Sequence, residues 1–172
     1  MLDQDLKTRI AAWLREQWGV EEENGCFYTE LFADYRDELG KRDLQAIADS
    51  YTTFLYGGAL GVDAWAAEIV LRLRKNLPLT LMAILPFPGY NADVTENSYR
   101  QTIAASDRIL CVEPVRRMAA LAARDRYMID RSSRLIAVYD ERSRIHSGTW
   151  RALCYARKKQ LGIRQIRWME YL

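Results

Sequence analysis

The sequence predicts an α/β fold, a three-layer sandwich built on a mainly parallel sheet. Five short, apolar, β-favouring runs recur every ~25–30 residues, which is the spacing of βαβ units. Three of them are apolar throughout rather than alternating, as expected of parallel strands that are covered on both faces. Helical patterns fill the intervals, so we expect right-handed crossovers between the strands.

The elements follow one another in regular order after residue 50. The predicted strands are TTFLY (52–56), LTLMAIL (79–85), RILCV (108–112), LIAVYD (135–140) and RQIRWM (164–169). Between the first two, residues 62–75 place Ala66, Ile69, Val70 and Leu73 on one side of a helix. The other predicted helices, rich in Ala, Arg, Leu and Met, cover residues 96–105, 117–131 and 149–160.

The amino-terminal segment departs from this alternation. Residues 2–18 carry apolar side chains at three- and four-residue spacing, the pattern of an amphipathic helix. VEEENG (20–25) breaks that pattern, CFYTELF (26–32) is a candidate short strand, and residues 36–49 are again helical in pattern. Because no repeat or linker divides the chain, we interpret residues 1–172 as one α/β domain with a divergent segment over 1–35.

Composition and charge narrow the classes of function. The chain has 172 residues and a formal charge of +2, from 25 basic and 23 acidic residues, so a nucleic-acid partner is not expected. Cys26, Cys111 and Cys154 have no metal-ligand spacing, and we expect neither a metal site nor a disulfide framework. Without a signal-peptide pattern or an apolar run long enough to span a bilayer, a cytoplasmic protein that does not bind membranes is expected.

FLYGGALGVDAWAAE (54–68) is the first candidate ligand site. Gly57 and Gly58 end a predicted strand and allow positive φ or close backbone approach, and Gly61 stands where the helix begins. The stretch is neither a P-loop nor a G-x-G-x-x-G fingerprint. A packing turn and a phosphate cradle at a helix start are both open interpretations.

Asp63 complicates the phosphate cradle. A carboxylate in the first helical turn interacts with the amides and the helix dipole itself, worth ~0.3–1 kcal/mol, and repels a phosphate. It could instead accept hydrogen bonds from ribose hydroxyls. The alternative is a simple helix cap.

RIHSGTWRA (144–152) is the second candidate site, after the fourth strand. Ser147, Gly148 and Thr149 offer a small turn with hydroxyls at a helix start, which suits an anion. A Ser/Thr N-cap alone would also explain them. His146, the only histidine, is given little weight because a single loop histidine is usually solvated.

Two further segments could contribute to the same edge of the sheet. In ARDRYMIDRSS (123–133), Arg124 and Arg126 point about 200° apart on a helix, so one of them could enter the cleft as a phosphate clamp. Surface pairing with neighbouring aspartates is the alternative. In PFPGY (86–90), Pro86 belongs to a rigid loop that could form a pocket wall, and Tyr90 could stack on a base or lie free on the surface.

The chain resembles the YpsA-like proteins of the SLOG superfamily, which also holds the LOG phosphoribohydrolases and DprA. The resemblance covers about residues 36–168 and rests on YGGALGVDAWAAEIV, ILPFPGY, SYRQTIAASDRIL, RDRYMIDRSSRLIAVYD and SGTWRALCYAR, in that order. It implies a Rossmann-like fold with a nucleotide-type ligand at the strand ends. The residues that match the family's glycine, arginine and glycine-threonine motifs are Gly57, Gly58, Gly61, Asp63, Arg124, Arg126, Gly148 and Thr149.

Two departures from the family pattern bear on function. The family opens with a strand that ends in Thr-Gly-His-Arg, which CFYTELF does not match. LOG enzymes also use an arginine, matched by Arg124, and a glutamate whose position holds Ala152. Because N-glycosidic cleavage passes through a cationic sugar that a carboxylate would stabilise, the resemblance supports the pocket better than the reaction.

The sequence therefore leaves several functions to weigh. We expect a protein that binds a nucleotide or nucleotide-derived molecule as sensor, carrier or sequestering protein, without a cofactor and as a homodimer. The alternatives are a nucleotide hydrolase of the phosphoribohydrolase type, with Arg124 as its catalytic arginine, and an interaction protein with a degenerate pocket. DprA-like DNA binding is disfavoured by the near-neutral charge.

Overall fold

A computed structural model describes residues 21–23, 26–28, 35–95, 97–116, 119–139, 141 and 147–167. The strands in these ranges are β1 (Glu21–Glu23), β2 (Cys26–Tyr28), β3 (Thr53–Tyr56), β4 (Thr80–Leu85), β5 (Arg108–Cys111), β6 (Arg134–Val138) and β7 (Gly162–Ile166). The helices are α1 (Tyr35–Ala48), α2 (Val62–Leu73), α3 (Asn97–Ala104), α4 (Ala120–Asp130) and α5 (Gly148–Lys158). The predicted alternation of strands and helices is confirmed.

Parallel pairing dominates, as an α/β Rossmann-like fold requires. One ladder has the order β3-β4-β5, with Thr53 opposite Thr80 and Met82 opposite Arg108. A second parallel ladder joins β6 to β7 and places Arg134 opposite Gly162. The helix α1 runs along α2 and α2 along α3, whereas α4 packs on α5. The helices therefore form two groups.

The strongest core lies where the apolar runs predicted buried strands. In β4, Leu81, Ala83 and Ile84 are almost completely buried, and Val70 of α2 belongs to the same cluster as Leu81 and Ala83. A smaller apolar cluster holds Leu153 of α5 against β6. Burial on both faces explains why β4 is apolar throughout rather than alternating.

The last strand was placed two residues too late by the sequence. The apolar run 164–169 suggested its position, but β7 begins at Gly162 and ends at Ile166. Only Ile166 of this strand is buried, and its other residues are exposed or half-buried. A strand with so little burial carries a weak hydropathy signal, so its pairing with β6 decides its bounds.

The structure agrees with only some of the predictions for the amino-terminal segment. CFYTELF does contain a strand, β2, but VEEENG is not only a break, because Glu21–Glu23 forms β1 and pairs antiparallel with β2. The sequence between them, Asn-Gly, is typical of a two-residue hairpin turn. The predicted helix over 2–18 lies outside the described residues. Within those residues no helix combines the length and the apolar character needed to cross a membrane.

Candidate functional site

The turn after β3 requires glycine at its second position. Gly58 has φ +64°, and a Cβ there would lie 2.4 Å from the Cδ2 of Leu85. Its carbonyl accepts a hydrogen bond of 2.6 Å from the hydroxyl of Tyr99 in α3 and one of 3.2 Å from the side-chain amide of Asn91. Neighbouring elements therefore hold this turn from its carbonyl side.

Arg124 closes the same turn from α4. Its side chain is buried, donates through Nη1 to the carbonyl of Gly57, and donates through Nε to Asp125 at 2.9 Å. A Cβ on Gly57 would lie 2.1 Å from the guanidinium Nη1, so the approach of the arginine depends on the missing side chain. Gly57 thus leaves room for Arg124, and Gly58 leaves room for Leu85.

Asp63 faces the amides of the glycine turn. Its Oδ2 accepts a hydrogen bond of 3.0 Å from the amide of Ala59. Burial raises the pKa of this carboxyl, while the amides of Ala59 and Gly57 and the charge of Arg124 act in the opposite direction. A phosphate on those amides would have to displace a carboxylate. Asp63 therefore caps the turn rather than the helix, whose N-cap is Gly61, and a phosphate cradle at this turn stays a prediction.

The beginning of α5 is built differently. Ser147 has extended backbone angles, φ −67° and ψ 160°, and its Oγ accepts a hydrogen bond of 3.1 Å from the amide of Trp150. Gly148 and Thr149 are exposed, and the first turn has no acidic side chain. Among the described residues, nothing accepts a hydrogen bond from the amides of Gly148 and Thr149. The serine is an N-cap, and the described residues leave the two donors beside it available.

One cavity of about 580 Å³ lies beside β3, α2 and α4, and neither Gly57 and Gly58 nor Gly148 and Thr149 line it. It is lined by Asp63 in the first turn of α2, Asp125 of α4 and Ala152 of α5. Burial raises the pKa of Asp125, against the lowering effects of Arg124 and Arg151. Ala152 contributes only a methyl group to this wall, so any carboxyl chemistry in the cavity belongs to the aspartates.

Arg126 and Pro86 are two further residues that the sequence predicted for the site. Arg126 is exposed on α4 and sits over the ring of Tyr155 at 5.7 Å, so the predicted divergence of the two arginines holds. Pro86 is fully buried, and its carbonyl accepts a hydrogen bond of 3.0 Å from Glu113. A direct ligand contact at Arg126 or Pro86 stays a prediction.

Other residues of the site were missed from the sequence. Tyr99 and Asn91 hold the Gly58 carbonyl, and Asp125 pairs with Arg124. Tyr99 stands in the polar helix NSYRQTIA, and this aromatic residue among polar ones was a usable signal. It is buried in the structure, and a buried tyrosine usually has a hydrogen-bond partner for its hydroxyl. Asp125 carried no signal beyond its place between two arginines. His146 lies outside the described residues, which contain no group of three metal-ligating side chains.

The sequence is similar to one protein family and to several curated proteins. A model described as the YspA SLOG family matches residues 36–170. A UPF0398 protein of Listeria innocua is 32% identical over 114 residues, which is 63% of each chain. A UPF0398 protein of Halalkalibacterium halodurans is 32% identical over 104 residues, 57% of this chain and 55% of the relative. The chain thus spans 63% and 55% of the length of these two relatives.

Proposed function

The chain belongs to the YspA SLOG family, and from that premise we propose that it binds a nucleotide or nucleotide-derived small molecule as a sensor, carrier or sequestering protein. The ligand would lie beyond the ends of β3 and β6, where α2 and α5 begin. Ligands of open α/β sheets bind at this edge because helix beginnings present free N–H groups there. In the same proposal the protein acts in the cytoplasm as a homodimer, without a nucleic-acid or membrane partner.

The available amides of Gly148 and Thr149 carry the proposal. They are exposed at the start of an 11-residue helix without an acid in its first turn. Two unused donors and the positive end of the helix dipole favour a phosphate or another anion at this position. The hydroxyl of Thr149 adds a third donor. We therefore assign the anionic end of the ligand to α5.

Asp63 would receive the neutral end of the ligand. Its carboxyl is half-buried and lines the cavity that Ala152 of α5 also reaches. Sugar hydroxyls are donors that a carboxylate can bind, whereas a phosphate would be repelled. The buried guanidinium of Arg124 holds the turn and offsets the carboxylate charge. The two helix beginnings would thus bind opposite ends of one molecule.

A phosphoribohydrolase-type reaction is the second candidate function. Asp63 and Asp125 line one cavity, burial raises the pKa of both, and Arg124 interacts with both. Carboxyls with raised pKa values are suited to proton transfer, and Arg124 would be the catalytic arginine. Ala152 at the position of the family's glutamate argues for binding without turnover.

Thermal unfolding with matched ligands tests the binding function. Nucleoside monophosphates and the corresponding nucleosides are compared at equal concentration. At a hundred times Kd a ligand adds about 2.7 kcal/mol, which raises the Tm of a chain of this size by roughly 5–10 °C. We expect that rise with at least one monophosphate and a much smaller one with its nucleoside. Equal shifts for both would remove the anion site from the proposal.

Product analysis of the same mixtures separates the two functions. Binding alone leaves the monophosphate intact after incubation. The hydrolase releases free base and ribose phosphate, and Arg124→Ala abolishes the release while Arg126→Ala does not. Turnover with this dependence on Arg124 would replace the binding function by the enzymatic one.

A further inference from the structure

The helices α4 and α5 meet along a seam of cationic and aromatic side chains. The guanidinium carbon of Arg126 in α4 lies 5.7 Å from the ring centroid of Tyr155 in α5, and the Nζ of Lys159, directly after α5, lies 5.3 Å from it. The hydroxyl of Tyr155 donates to Asp130 at 2.9 Å, and Lys159 forms an ion pair with the same carboxylate at 2.9 Å. These contacts join the two helices and place their cations side by side.

Most of the charge along this seam is positive and exposed. We call the surface the basic face, and its exposed members are Arg126, Arg131, Arg151, Lys158 and Lys159. Among the exposed residues that the structure describes in α4 and α5, Asp130 is the one acid. Arg131 lies over an aromatic ring, that of Tyr127, at 3.7 Å. Because a guanidinium over a ring keeps the N–H donors of its edge for a carboxylate, the face suits an acidic partner.

A segment of opposite charge precedes α1. Residues 16–34 hold six acidic residues and no basic one, and three of the six form β1. We call this stretch the acidic segment. Residues 1–99 have 16 acidic and nine basic residues, a net charge of −7, whereas residues 100–172 have seven acidic and 16 basic residues, a net charge of +9. The formal charge of +2 is therefore the sum of two regions of opposite sign.

We propose that the basic face binds the acidic segment of a second copy of the chain. Each copy has one basic face and one acidic segment, so a two-fold axis pairs them twice and closes the assembly as a dimer. Opposite charges attract the two copies and fix their orientation on contact. The inference deepens the homodimer of the proposed function, and it does not depend on the bound nucleotide.

The arrangement of the helices favours a second copy over the segment of the same chain. The acidic segment leads into α1, which runs along α2, whereas the basic face belongs to the other group of helices, α4 and α5. In the described ranges, the one ion pair of the basic face joins Lys159 to Asp130, within the face itself. Its arginines are thus available to carboxylates from another molecule.

A nucleic acid is the other polyanion that a basic face attracts. The net charge of −7 on residues 1–99 repels such a polyanion, whereas the same charge attracts the basic face of a second copy. A dimer of this kind neutralises both regions at once, and a nucleic acid neutralises one of them. We therefore assign the basic face to a second copy.

Light scattering of the full chain tests the association. We expect the mass of a dimer in about 0.05 M salt and a dissociation constant at least about tenfold higher in about 0.5 M salt, because salt screens exposed charges. The mass of one chain in both solutions would overturn the inference and remove the homodimer as well. A dimer of equal affinity in both would keep the homodimer, assign it to another surface and overturn the inference alone.

Charge reversal identifies the two surfaces. The face variant reverses three exposed cations of the basic face: Arg126→Glu, Arg131→Glu and Lys158→Glu. The segment variant reverses the three acids of β1: Glu21→Lys, Glu22→Lys and Glu23→Lys. The matched control changes the net charge as the face variant does, on exposed cations elsewhere: Arg72→Glu, Lys75→Glu and Arg108→Glu. Either reversed variant should dimerise about a hundredfold more weakly, because like charges then meet at both contacts, and the control should dimerise as the unchanged protein does.

A mixture of the two reversed variants separates charge pairing from other effects. In the mixed pair an unchanged segment meets an unchanged face, and a reversed segment meets a reversed face, so the charges are again opposite at both contacts. We expect the mixture to regain the dimer, with one copy of each variant in native mass spectrometry. A dimer lost in both variants and not regained on mixing would overturn the inference, and so would a dimer that survives both reversals.

Two further measurements complete the test. Alanine at the three cations of the face variant is the milder change should the glutamate variant unfold at a lower temperature, and it should weaken the dimer by about tenfold. The last measurement is the binding of a labelled oligothymidylate in about 0.05 M salt. We expect none, whereas binding that the face variant loses would assign the basic face to a nucleic acid.

Discussion

The two helix beginnings differ in one decisive respect. At α2 the turn amides face Asp63, and the carbonyls of Gly57 and Gly58 are bound by Arg124 and Tyr99. At α5 the described residues supply the Ser147 cap, and the first turn has no acid. Glycine lies at both helix beginnings, so glycine alone does not distinguish them. In the proposed function, the absence of a carboxylate from the first turn makes the α5 turn the anion site.

Arg124→Ala should give the largest loss of stability. The buried guanidinium holds the Gly57 carbonyl and the carboxylate of Asp125, and its loss leaves buried groups without partners. We expect the free energy of unfolding in urea at pH 7 to fall by about 3–5 kcal/mol. Arg126→Ala, the exposed control on the same helix, should change it by less than about 0.5 kcal/mol. Similar losses for both variants would contradict a closed turn at α2.

Alanine at one glycine of each turn sharpens the comparison. At Gly57 the new Cβ would collide with the guanidinium of Arg124, and we expect a loss of about 1–3 kcal/mol in unfolding experiments. At Gly148 the new Cβ would meet nothing within 4 Å, so stability should change by less than about 0.5 kcal/mol. A costly alanine at 148 would show that the α5 turn is packed as tightly as the α2 turn.

Ser147→Ala should have a smaller effect, confined to the open turn. The substitution removes the hydrogen bond to the Trp150 amide, and N-cap losses are typically about 1 kcal/mol. Chemical denaturation measures the change, and Ser147→Asp, which keeps a cap, is the control. The aspartate variant should retain stability yet weaken binding of an anion, because it places a carboxylate beside the exposed amides of Gly148 and Thr149. Undiminished anion binding by Ser147→Asp would contradict the role given to that charge.

The smallest effect is expected in the pH dependence of stability. The pKa of Asp63 is raised in the folded state. Its contribution to the free energy of unfolding is therefore fully present below the ordinary pKa of 3.8 and is lost as pH rises through the raised pKa. Asp63→Asn should flatten the unfolding free energy across that window. Ser147→Ala, at the turn without an acid, should leave the profile unchanged. An identical profile for the protein and Asp63→Asn would contradict the burial of this carboxyl.

Much of the fold was predictable because local signals agreed with the tertiary arrangement. The apolar runs at β3, β4, β5 and β6 are strands within one or two residues of their predicted bounds, and the mostly buried β4 has the clearest apolar signal. The exceptions were β1 and β7, and Ile166 is the one buried residue of β7. Their bounds depend on pairing with a neighbouring strand, which a single sequence does not contain.

The site was predictable in composition but not in its assignment of roles. The sequence singles out Gly57, Asp63 and Arg124, which the structure brings to one turn, yet it leaves a packing turn and a phosphate cradle equally open. The difference depends on whether Asp63 reaches back to Ala59, a contact between residues four apart that only coordinates define. Tyr99 lies 41 residues from the carbonyl it binds, and no spacing rule connects the two.

Proline and alanine at residue 148 together test the central claim most directly. Proline is favoured at the first position of a helix, and the extended angles of Ser147 suit a residue before proline, so Gly148→Pro removes one amide donor while keeping the helix. Gly148→Ala keeps the donor. Calorimetric titration with the best nucleoside monophosphate should show about tenfold weaker binding for Gly148→Pro and unchanged binding for Gly148→Ala. Equal affinity for both variants would show that the α5 amides do not hold the anion.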